Sequence, residues 1–510
     1  MSPTHAVRRL GVVAAVTALT SAIAAPTLAQ ADPVSLEVSI ADTVVAAGGS
    51  NDDVSVIIAA DRAATLADLT FTFDVGGLAG VAALNPAALP IACDTSGDIV
   101  TCADAFGTDV GDPLAIFDLE LTADPGANLG DTGTLTVAVE ATGATAATDT
   151  VTVTIGTPID LVAGGDGEVT TAIGDSASVP WSVQNAGPEP AAGVTLWVGA
   201  DPGLAPQTRH GNCVYYGRIA FPELPHVGLC TFDVVLEPAT TYEFSSPLEF
   251  EVRSDAPAPA PLVVNGIWMT RFEGAAMADR LVDEGRVGVP GTGPALELVQ
   301  AGGGAPAPAS ADPPPAADLD PDNNFGQFVA LVEGNNKPDF AAVGARLDGE
   351  VGDLLSADVG VRNVGPALAN SIQAGDPLNL VRVTVPDGTT AVEVPDNCSP
   401  AGDETADTEP GAPAYLCTAG FLLPVGETES FPFVLRIDQV IPDVTGRVEV
   451  NQSAGEPTPP ADINPDNDLA EIVVNPTAGG GTGGGLPVTG SASWLVGLAG
   501  ALLLALGASA

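Results

Sequence analysis

Positive charge and aromatic side chains are scarce in this sequence. Its 510 residues include 15 Lys and Arg against 65 Asp and Glu, and aromatic residues make up 5%. A formal net charge of -50 repels nucleic-acid phosphates and anionic lipid headgroups, so polyanion binding is excluded. Lys337 is the only lysine, which excludes Schiff-base catalysis, a Walker-type phosphate loop and lysine-derived isopeptide crosslinks in every domain.

Catalytic motifs are also missing. The chain has three His and neither a Gly-x-Ser-x-Gly nor a His-Glu-x-x-His pattern. Glycines 479–484 match a dinucleotide-binding spacing, but no strand-turn-helix pattern surrounds them, so they indicate a linker. Sugar-cleaving sites need aromatic side chains that this chain has few of. We expect no enzyme activity and no cofactor, with calcium as the one ion to consider.

The first 31 residues have the pattern of a secretory signal. Arg8 and Arg9 precede an apolar run over 10–25, and the small-x-small sequence 29–31 precedes Asp32. A permanent N-terminal membrane anchor is the alternative, which the short apolar run disfavours. We therefore expect an exported protein that begins near Asp32.

A second targeting signal is predicted at the C-terminal end of the sequence. The Gly-rich linker 476–485 leads into a pentapeptide, and an apolar tail, 491–510, follows it and predicts a membrane-inserted helix. Glycines before such a motif give an enzyme room to reach it, and a proline within it favours an extended form. The pentapeptide is Leu486, Pro487, Val488, Thr489 and Gly490.

This combination resembles the sortase signal of Gram-positive LPXTG surface proteins. The resemblance implies that a sortase cleaves the Thr489-Gly490 bond and transfers the Thr489 carboxyl to an amine of peptidoglycan. The expected location is the cell wall at the cell surface. The tail departs from the family pattern because no Lys or Arg follows it, so we expect either that further residues follow Ala510 in the protein or that some product is released. A permanent C-terminal anchor is disfavoured for the same reason.

Between these two predicted signals, two parts of the chain share the same sequence motifs in the same order. Gly174-Asp175 and Gly352-Asp353 are equivalent, as are the Asn-x-Gly-Pro sequences that begin at Asn185 and Asn363. Matching Leu-Cys-Thr and Asp-x-x-Pro-Asp-Asn sequences follow in the same order. We predict three domains, 32–156, 157–334 and 335–475, with an insertion near 254–296 in the middle one.

Apolar and polar residues alternate with period two along many short segments. Examples are 69–73, 151–155, 248–252 and 381–385, with turn sequences between them. The pattern predicts an all-β fold of tandem immunoglobulin-like β-sandwiches with flexible loops rich in Pro, Ala and Gly. One helix is predicted, over 273–286, with Met277, Leu281 and Val282 on one side.

The middle and third domains resemble the immunoglobulin-like conserved-repeat domains of bacterial surface proteins. The resemblance rests on Asn-x-Gly-Pro after a strand, a Pro-Gly turn and a Cys pair before the final hairpin. It implies a structural stalk or display module. The alternative is an adhesin whose middle domain binds a glycan or a protein.

Six cysteines lie in the mature region, two in each domain. Fifteen pairings are possible, but proximity in sequence and equivalent places in the repeats favour local disulfides in an exported protein. A metal site is disfavoured because no CxxC or His spacing accompanies them. The predicted pairs are Cys93 with Cys102, Cys213 with Cys230, and Cys398 with Cys417.

Acidic residues alternate in two equivalent turns in the manner of a calcium loop. An EF-hand would place Gly sixth and Glu twelfth, whereas Asn323 and Val329 stand there, so a polar turn before the last strand is the alternative. The candidate calcium ligands are Asp318, Asp320, Asp322, Asp462 and Asp466.

One disulfide loop of the middle domain collects aromatic and basic residues. Such residues favour ligand contact in a chain with few of them, and the candidates are Tyr215, Tyr216, Arg218 and Phe221. The alternative is that the aromatic rings pack on the end of the sandwich.

Overall fold

The computed structural model describes residues 33–103, 108–110, 114–217, 225–311, 313–372, 375, 377–402, 410–451 and 462–477. The predicted signal sequence, sorting motif and apolar tail lie outside these residues. The chain divides into two compact units between Gly156 and Thr157. The second unit contains two β-sandwiches, each with a hydrophobic core of its own.

The first unit is a sandwich of light strands over an aliphatic and phenylalanine core. Along Thr132–Thr142, Leu135 and Val137 are buried while Thr132 and Thr134 face solvent, so period-two alternation sets the core face. The strands are β1 Val34–Ser39, β2 Thr43–Ala46, β3 Ser50–Ala60, β4 Ala64–Asp74, β5 Ala82–Leu84, β6 Ala92–Ser96, β7 Ile99–Ala103, β8 Thr108–Val110, β9 Leu114–Ala123, β10 Thr132–Thr142, β11 Ala144–Thr145 and β12 Ala147–Ile159, with 3₁₀ turns at Gly76–Leu78 and Pro86–Ala88. The sheet orders are β11-β1-β3-β9-β5 and β2-β12-β10-β4-β7-β6, with β8 beside β4.

The third domain shows the strand arrangement most simply. Its strands are β28 Phe340–Val343, β29 Ala345–Leu347, β30 Leu354–Asn363, β31 Ala369–Asn370, β32 Leu380–Thr384, β33 Thr389–Glu393, β34 Cys398–Pro400, β35 Ala414–Thr418, β36 Leu422–Leu423, β37 Thr428–Ile437, β38 Val444–Glu449 and β39 Leu469–Val474, with a 3₁₀ turn at Pro465–Asn467. One sheet has the order β28-β30-β37-β33 and the other β29-β39-β38-β32-β35-β34.

This order is that of an immunoglobulin-like sandwich. The first strand is divided, so that β28 pairs antiparallel with β30 in one sheet and β29 pairs parallel with the last strand, β39, in the other. The first sheet corresponds to strands A, B, E and D, and the second contains G, F and C. The predicted all-β, immunoglobulin-like fold class is confirmed.

The middle domain repeats this arrangement with a broken A-B-E-D sheet. Its elements are β13 Leu161–Gly164, β14 Gly167–Ala172, β15 Ser176–Val179, β16 Ser182–Asn185, β17 Ala191–Ala200, β18 Leu204–Pro206, β19 Cys213–Gly217, β20 Pro225–Leu236, β21 Thr240–Phe244, β22 Leu248–Val252, β23 Ala258–Thr270, α1 Arg271–Asp283, β24 Gly288–Pro290, β25 Leu298–Gln300, β26 Ala316–Asp318 and β27 Phe325–Asn336, with a 3₁₀ turn at Pro321–Asn323. The sheet orders are β13-β16-β21-β25, β15-β22-β18 and β14-β27-β23-β17-β20-β19-β24. Pro180 separates β15 from β16, and Pro247 separates β21 from β22, because proline cannot donate to a strand ladder.

The predicted insertion near 254–296 includes a central strand. β23, Ala258–Thr270, pairs with β17 and β27 in the way that β38 pairs with β32 and β39 in the third domain. The extra length of the middle domain therefore begins at α1, after this strand. Composition concealed the strand because its first four residues are Ala-Pro-Ala-Pro.

Helix α1 begins two residues before the predicted start and ends three residues before the predicted end. Thr270 caps it: the Glu273 backbone N–H donates to Thr270 Oγ1 at 3.2 Å, and the Thr270 N–H donates to Glu273 Oε2 at 2.8 Å. Leu281 is buried, but Val282, predicted on the same face, is 57% exposed.

All three cysteine pairs are disulfide-bonded as predicted. Each bond joins directly opposite residues of neighbouring strands, β6 with β7, β19 with β20 and β34 with β35. The bonds therefore close hairpins within one sheet, whereas the disulfide of antibody domains links the two sheets.

Candidate functional site

The tyrosines of the middle-domain disulfide loop are part of the fold's interior. Tyr215 lies in β19 and is 7% exposed. Its hydroxyl accepts a hydrogen bond from the His210 backbone N–H at 2.8 Å, and the Arg209 guanidinium lies 5.4 Å from the ring centroid. Burial raises the pKa of Tyr215. This tyrosine positions the loop rather than presenting a polar group to solvent.

Tyr216 points to the other side of the same strand. It is 4% exposed and belongs to a small apolar cluster with Met269 and Leu281, through which α1 packs on the sheet. Burial raises its pKa, and the charge of Asp279 raises it further. Both tyrosines therefore take the packing role that was the alternative to ligand contact.

Arg218 and Phe221 fall outside the described residues. Of the four candidate contact residues of this loop, the two tyrosines are therefore buried and the other two stay predictions. A small apolar cavity of about 30 Å³ lies inside this domain, between Val198, Tyr215 and Phe250. Ligand pockets are typically roughly 300–1,000 Å³, so this cavity is a packing void.

The acidic motifs form two equivalent turns before the last strands β27 and β39. Asp318 is 5% exposed, its Oδ2 accepts from the Leu161 N–H at 2.8 Å, and its Oδ1 accepts from the Asp320 N–H at 3.0 Å. Burial raises the pKa of Asp318, while these hydrogen bonds lower it. The Asp318 carboxylate thus fastens the turn to the first strand of the domain.

Asp462 has the same place in the third domain. Its Oδ1 accepts from the Phe340 N–H at 3.3 Å and from the Asn464 N–H at 3.2 Å. By contrast, Asp320, Asp322 and Asp466 are exposed. In each motif one predicted aspartate, Asp318 or Asp462, therefore accepts hydrogen bonds from backbone N–H groups, and the other three candidates face solvent.

The same turns contain residues that the sequence pattern did not single out. Asn323 Nδ2 donates to Asp160 Oδ1 at 3.1 Å, and in the third domain Asn467 Nδ2 donates to Asp339 Oδ1 at 2.8 Å. A comparison of the two repeats could have found these pairs, because both members recur in equivalent positions. Within the described residues, no group of three or more His, Cys, Asp or Glu side chains is arranged to hold a metal ion.

A buried asparagine organises the middle domain at the end of strand β16. Asn185 is fully buried, and its Nδ2 donates to the main-chain oxygens of Glu189 at 2.8 Å and Leu236 at 2.9 Å. Its Oδ1 accepts from the backbone N–H groups of Gly187 at 3.1 Å and Asp160 at 3.4 Å. One side chain therefore joins three separate segments of chain.

Asn363 makes the same four contacts in the third domain. Its Nδ2 donates to the main-chain oxygens of Ala367 at 2.8 Å and Leu423 at 3.0 Å. Its Oδ1 accepts from the N–H groups of Gly365 at 3.1 Å and Asp339 at 3.4 Å. The Asn-x-Gly-Pro motif is thus a structural motif in both repeats.

The Gly-Asp pairs of the repeats are equivalent as well. Gly174 and Gly352 have φ angles of 87° and 95°, in the left-handed region that favours glycine. Their N–H groups donate to Val252 and Ile437, respectively, each at 2.8 Å. In both domains this hydrogen bond ties the turn before strand B to the end of strand E.

The predicted sorting motif, 486–490, and the predicted apolar tail, 491–510, lie outside the described residues. Among the residues that are described, no helix is both long and apolar enough to cross a membrane.

No protein-family model and no curated protein matches this chain. Solved structures similar to it include a Corynebacterium diphtheriae protein whose name proposes membrane anchoring (10% identity, 86% of this chain and 91% of that one, TM-score 0.16). Others are the titin I-band fragment I67–I69 (9%, 88% and 99%, 0.14) and a complex of Dpr2 with DIP-Theta immunoglobulin domains (7%, 87% and 99%, 0.19). Since these TM-scores are far below 0.5, the fold assignment rests on the strand order alone.

Proposed function

We propose that this protein is an exported surface protein whose tandem sandwiches act as a structural stalk or display module. In this proposal a sortase joins the Thr489 carboxyl to peptidoglycan, with cleavage of the Thr489-Gly490 bond. The sandwiches then hold whatever lies beyond them away from the wall. The protein is the substrate of this chemistry and contributes no catalytic group to it.

The proposal is supported mainly by one observation: the residues that the two repeats share have structural roles. Asn185 and Asn363 make the same four hydrogen bonds, Gly174 and Gly352 adopt the same turn, and each repeat has a disulfide-closed hairpin. Each of these features holds the backbone in place. A duplicated framework of this kind supports a role that depends on the number of repeats and not on one reactive site.

A direct hydrogen bond between the middle and third domains supports the same role. The Leu368 backbone N–H of the third domain donates to the Asp255 main-chain oxygen of the middle domain at 2.8 Å. Within the middle domain, Asn336 Nδ2 at the end of β27 donates to the main-chain oxygen of Ala256 at 2.7 Å. Arg253 also binds Asp255 through two hydrogen bonds of 2.8 Å. A stalk needs joints that resist bending; the Leu368–Asp255 hydrogen bond spans this one, and the other two contacts hold the segment that accepts it.

Three disulfides and an acidic surface suit the proposed location. Disulfides persist in oxidising surroundings outside the cytoplasm. A formal charge of -50 keeps an exposed chain soluble and apart from anionic lipid. Both properties are expected of a protein displayed outside the cell, so they support the proposal without identifying a ligand.

The test is to measure how the protein divides between the cell wall and the medium. Thr489→Ala should move most of the protein from the wall fraction to the membrane and medium, because the acyl group that the sortase transfers belongs to Thr489. Thr482→Ala, in the neighbouring Gly-rich linker, is the matched control and should leave the distribution unchanged.

Mass spectrometry of the C-terminal peptide gives an independent measurement. The wild-type peptide should end at Thr489 joined to a peptidoglycan amine. An unchanged wall fraction in Thr489→Ala, together with a C-terminal peptide that continues past Gly490, contradicts the anchoring proposal.

A further inference from the structure

The turn before the last strand of the middle domain forms an oxygen-rich corner. We use "acidic corner" for Asp160, Asp318, Asn323 and Asn324. Asp318 and Asn324 are only 5% and 3% exposed, and the Asn324 side chain interacts with the Asp318 carboxylate. Asn323 Nδ2 donates to Asp160 Oδ1 at 3.1 Å. Two carboxylates and two carboxamides from both ends of the domain thus meet at one place.

Oxygen atoms in this corner lack hydrogen-bond partners. The Oδ1 atoms of Asn323 and Asn324 are both buried and unpartnered. In the third domain the equivalent atoms, Asn467 Oδ1 and Asp468 Oδ1, are unpartnered too. Every unpartnered buried side-chain oxygen found among the described residues belongs to these two turns. Because an unmatched buried acceptor costs about 1–3 kcal/mol, a recurrence at equivalent positions calls for an explanation.

The missing partner must be a hydrogen-bond donor or a cation. The ion pairs found among the described residues all lie elsewhere in the chain. In the third domain Asn451 Nδ2 enters the corresponding corner and donates to Asp462 Oδ2 at 2.7 Å. In the middle domain the Trp268 N–H donates to the Asn324 main-chain oxygen at 3.0 Å, as the Val450 N–H does to Asp468 in the third, but Met269 stands where Asn451 follows Val450 and has no side-chain donor. Both corners are negatively charged, with the carboxylates of Asp160 and Asp318 in the middle domain and those of Asp339, Asp462 and Asp468 in the third.

We propose that the acidic corner of the middle domain binds a calcium ion. Asn323 Oδ1 and Asn324 Oδ1 would be ligands together with the carboxylates of Asp160 and Asp318, and water would complete the shell. Ca²⁺ takes six to eight oxygen ligands in flexible geometry, including amide oxygens, whereas Mg²⁺ demands a near-ideal octahedron. With only two carboxylates among the ligands, we expect a dissociation constant of roughly 10⁻⁴–10⁻³ M, the range of extracellular modules.

This ligand set differs from the one that the acidic spacing predicts. Asp320 and Asp322 are exposed and lie outside the buried part of the turn. Asp160 comes from the beginning of the domain, 163 positions before Asn323 in the sequence, and it enters only through the fold. The ion would join the first and last strands of the domain at the point where their ends meet.

The experiment measures thermal unfolding and calcium binding of the full exported chain. Up to about 5 mM CaCl₂, above the roughly 10⁻⁴–10⁻³ M dissociation constant expected, should raise the melting temperature relative to chelator. The rise should be about 2–4 °C in the transition of the middle domain. The same concentration of MgCl₂ should give a clearly smaller rise. Titration calorimetry with CaCl₂ then gives the affinity directly.

Two variants that each lose one negative charge distinguish a specific calcium site from general screening of the surface charge. Asp160→Asn removes a proposed ligand charge but keeps an oxygen for Asn323, and should weaken calcium binding by about tenfold, since ligand charge tunes affinity. Asp322→Asn removes one exposed charge from the same turn and should leave binding unchanged. Circular dichroism verifies that both variants are folded.

Three results would overturn the proposal. One is a wild-type protein with neither a calcium-dependent melting shift nor heat of binding, which would leave water as the partner of the two amide oxygens. Another is an equal response to magnesium. The last is equal weakening by both substitutions, which indicates screening of the surface charge. If Asp160→Asn fails to fold, Asn323→Asp, which adds a ligand charge, should instead raise calcium affinity.

Discussion

The side-chain amide of Asn185 donates to the main-chain oxygen of Leu236 at 2.9 Å and so joins the end of strand β16 to the end of strand β20. These strands belong to opposite sheets of the middle domain. The bond is inaccessible to solvent because Asn185 is fully buried. The Asn185 carboxamide therefore links the two sheets of this domain, which no disulfide joins.

Replacing this amide should destabilise the domain strongly. In Asn185→Ala the Leu236 and Glu189 oxygens lose their donor in the interior, and each unmatched group costs about 1–3 kcal/mol. We expect the free energy of unfolding of the middle domain to fall by about 2–4 kcal/mol in urea titrations. Asn363→Ala should give a similar loss in the third domain. Asn335→Ala, at an exposed site of the middle domain, is the control and should change stability by less than about 0.5 kcal/mol.

The three disulfides should differ in their contribution according to the length of chain that each closes. Sequence separations are 9 residues for Cys93–Cys102, 17 for Cys213–Cys230 and 19 for Cys398–Cys417. In the chain-entropy model a loop of about 15 residues contributes about 3 kcal/mol, and a shorter loop less. Double Cys→Ala variants, followed by urea unfolding, should therefore show the smallest loss for the first pair. A largest loss for that pair would contradict the model.

Gly266 should tolerate no side chain. It lies in β23 under the indole of Trp181, and a Cβ there would come within 2.5 Å of Trp181 Cζ3. Gly266→Ala should lower the free energy of unfolding by about 1–3 kcal/mol, the usual cost of overpacking, and change the tryptophan fluorescence of the folded protein. Gly167→Ala is the control because its Cβ would meet Phe328 at an ordinary 3.6 Å.

Glu429 should make the third domain less stable as pH rises. Both carboxylate oxygens accept from the Gly420 N–H, at 3.0 and 2.9 Å, but burial dominates and raises the pKa of Glu429 above its ordinary 4.5. The folded state therefore keeps this proton to higher pH than the unfolded state does. The Glu429 contribution to stability is present below 4.5 and is lost as pH rises through the raised pKa.

Comparison with Glu429→Gln isolates this effect from the other carboxylates. Gln keeps an acceptor for Gly420 but does not ionise. The variant should gain stability relative to wild type as pH rises from about 4 to about 7, measured by urea unfolding at each of about five pH values. A stability difference that does not vary with pH would contradict the prediction.

Local patterns in the sequence account for much of the fold. Period-two alternation identifies strands such as Leu248–Val252, and equivalent cysteines identify the hairpins, because both signals depend on neighbours in sequence. β23 was hidden by Pro259 and Pro261. These prolines lie where β23 pairs only with β27, before β17 joins it at Val264, so they occupy a free strand edge that tolerates proline.

The candidate sites were less predictable because they depend on contacts between distant parts of the chain. Tyr215 and Tyr216 are on opposite faces of one strand, and each face is covered by a different element, the sandwich core and helix α1. Spacing could suggest calcium ligands within one turn, but Asp160 reaches that turn only through strand pairing. Composition alone cannot report which faces of an aromatic loop become covered.

The division of the first strand has a mechanical consequence if the protein is held at one end, as we propose. In both repeats a short strand at the start of the domain runs parallel to the last strand, over six residue pairs between β14 and β27 and three between β29 and β39. Tension applied to the two chain ends of such a domain acts along these paired strands and loads their hydrogen bonds together as a shear, not one at a time as in unzipping. The disulfide hairpins lie away from this line of force. The middle domain, with twice as many sheared pairs, should therefore yield after the third, whether or not its cysteines are oxidised.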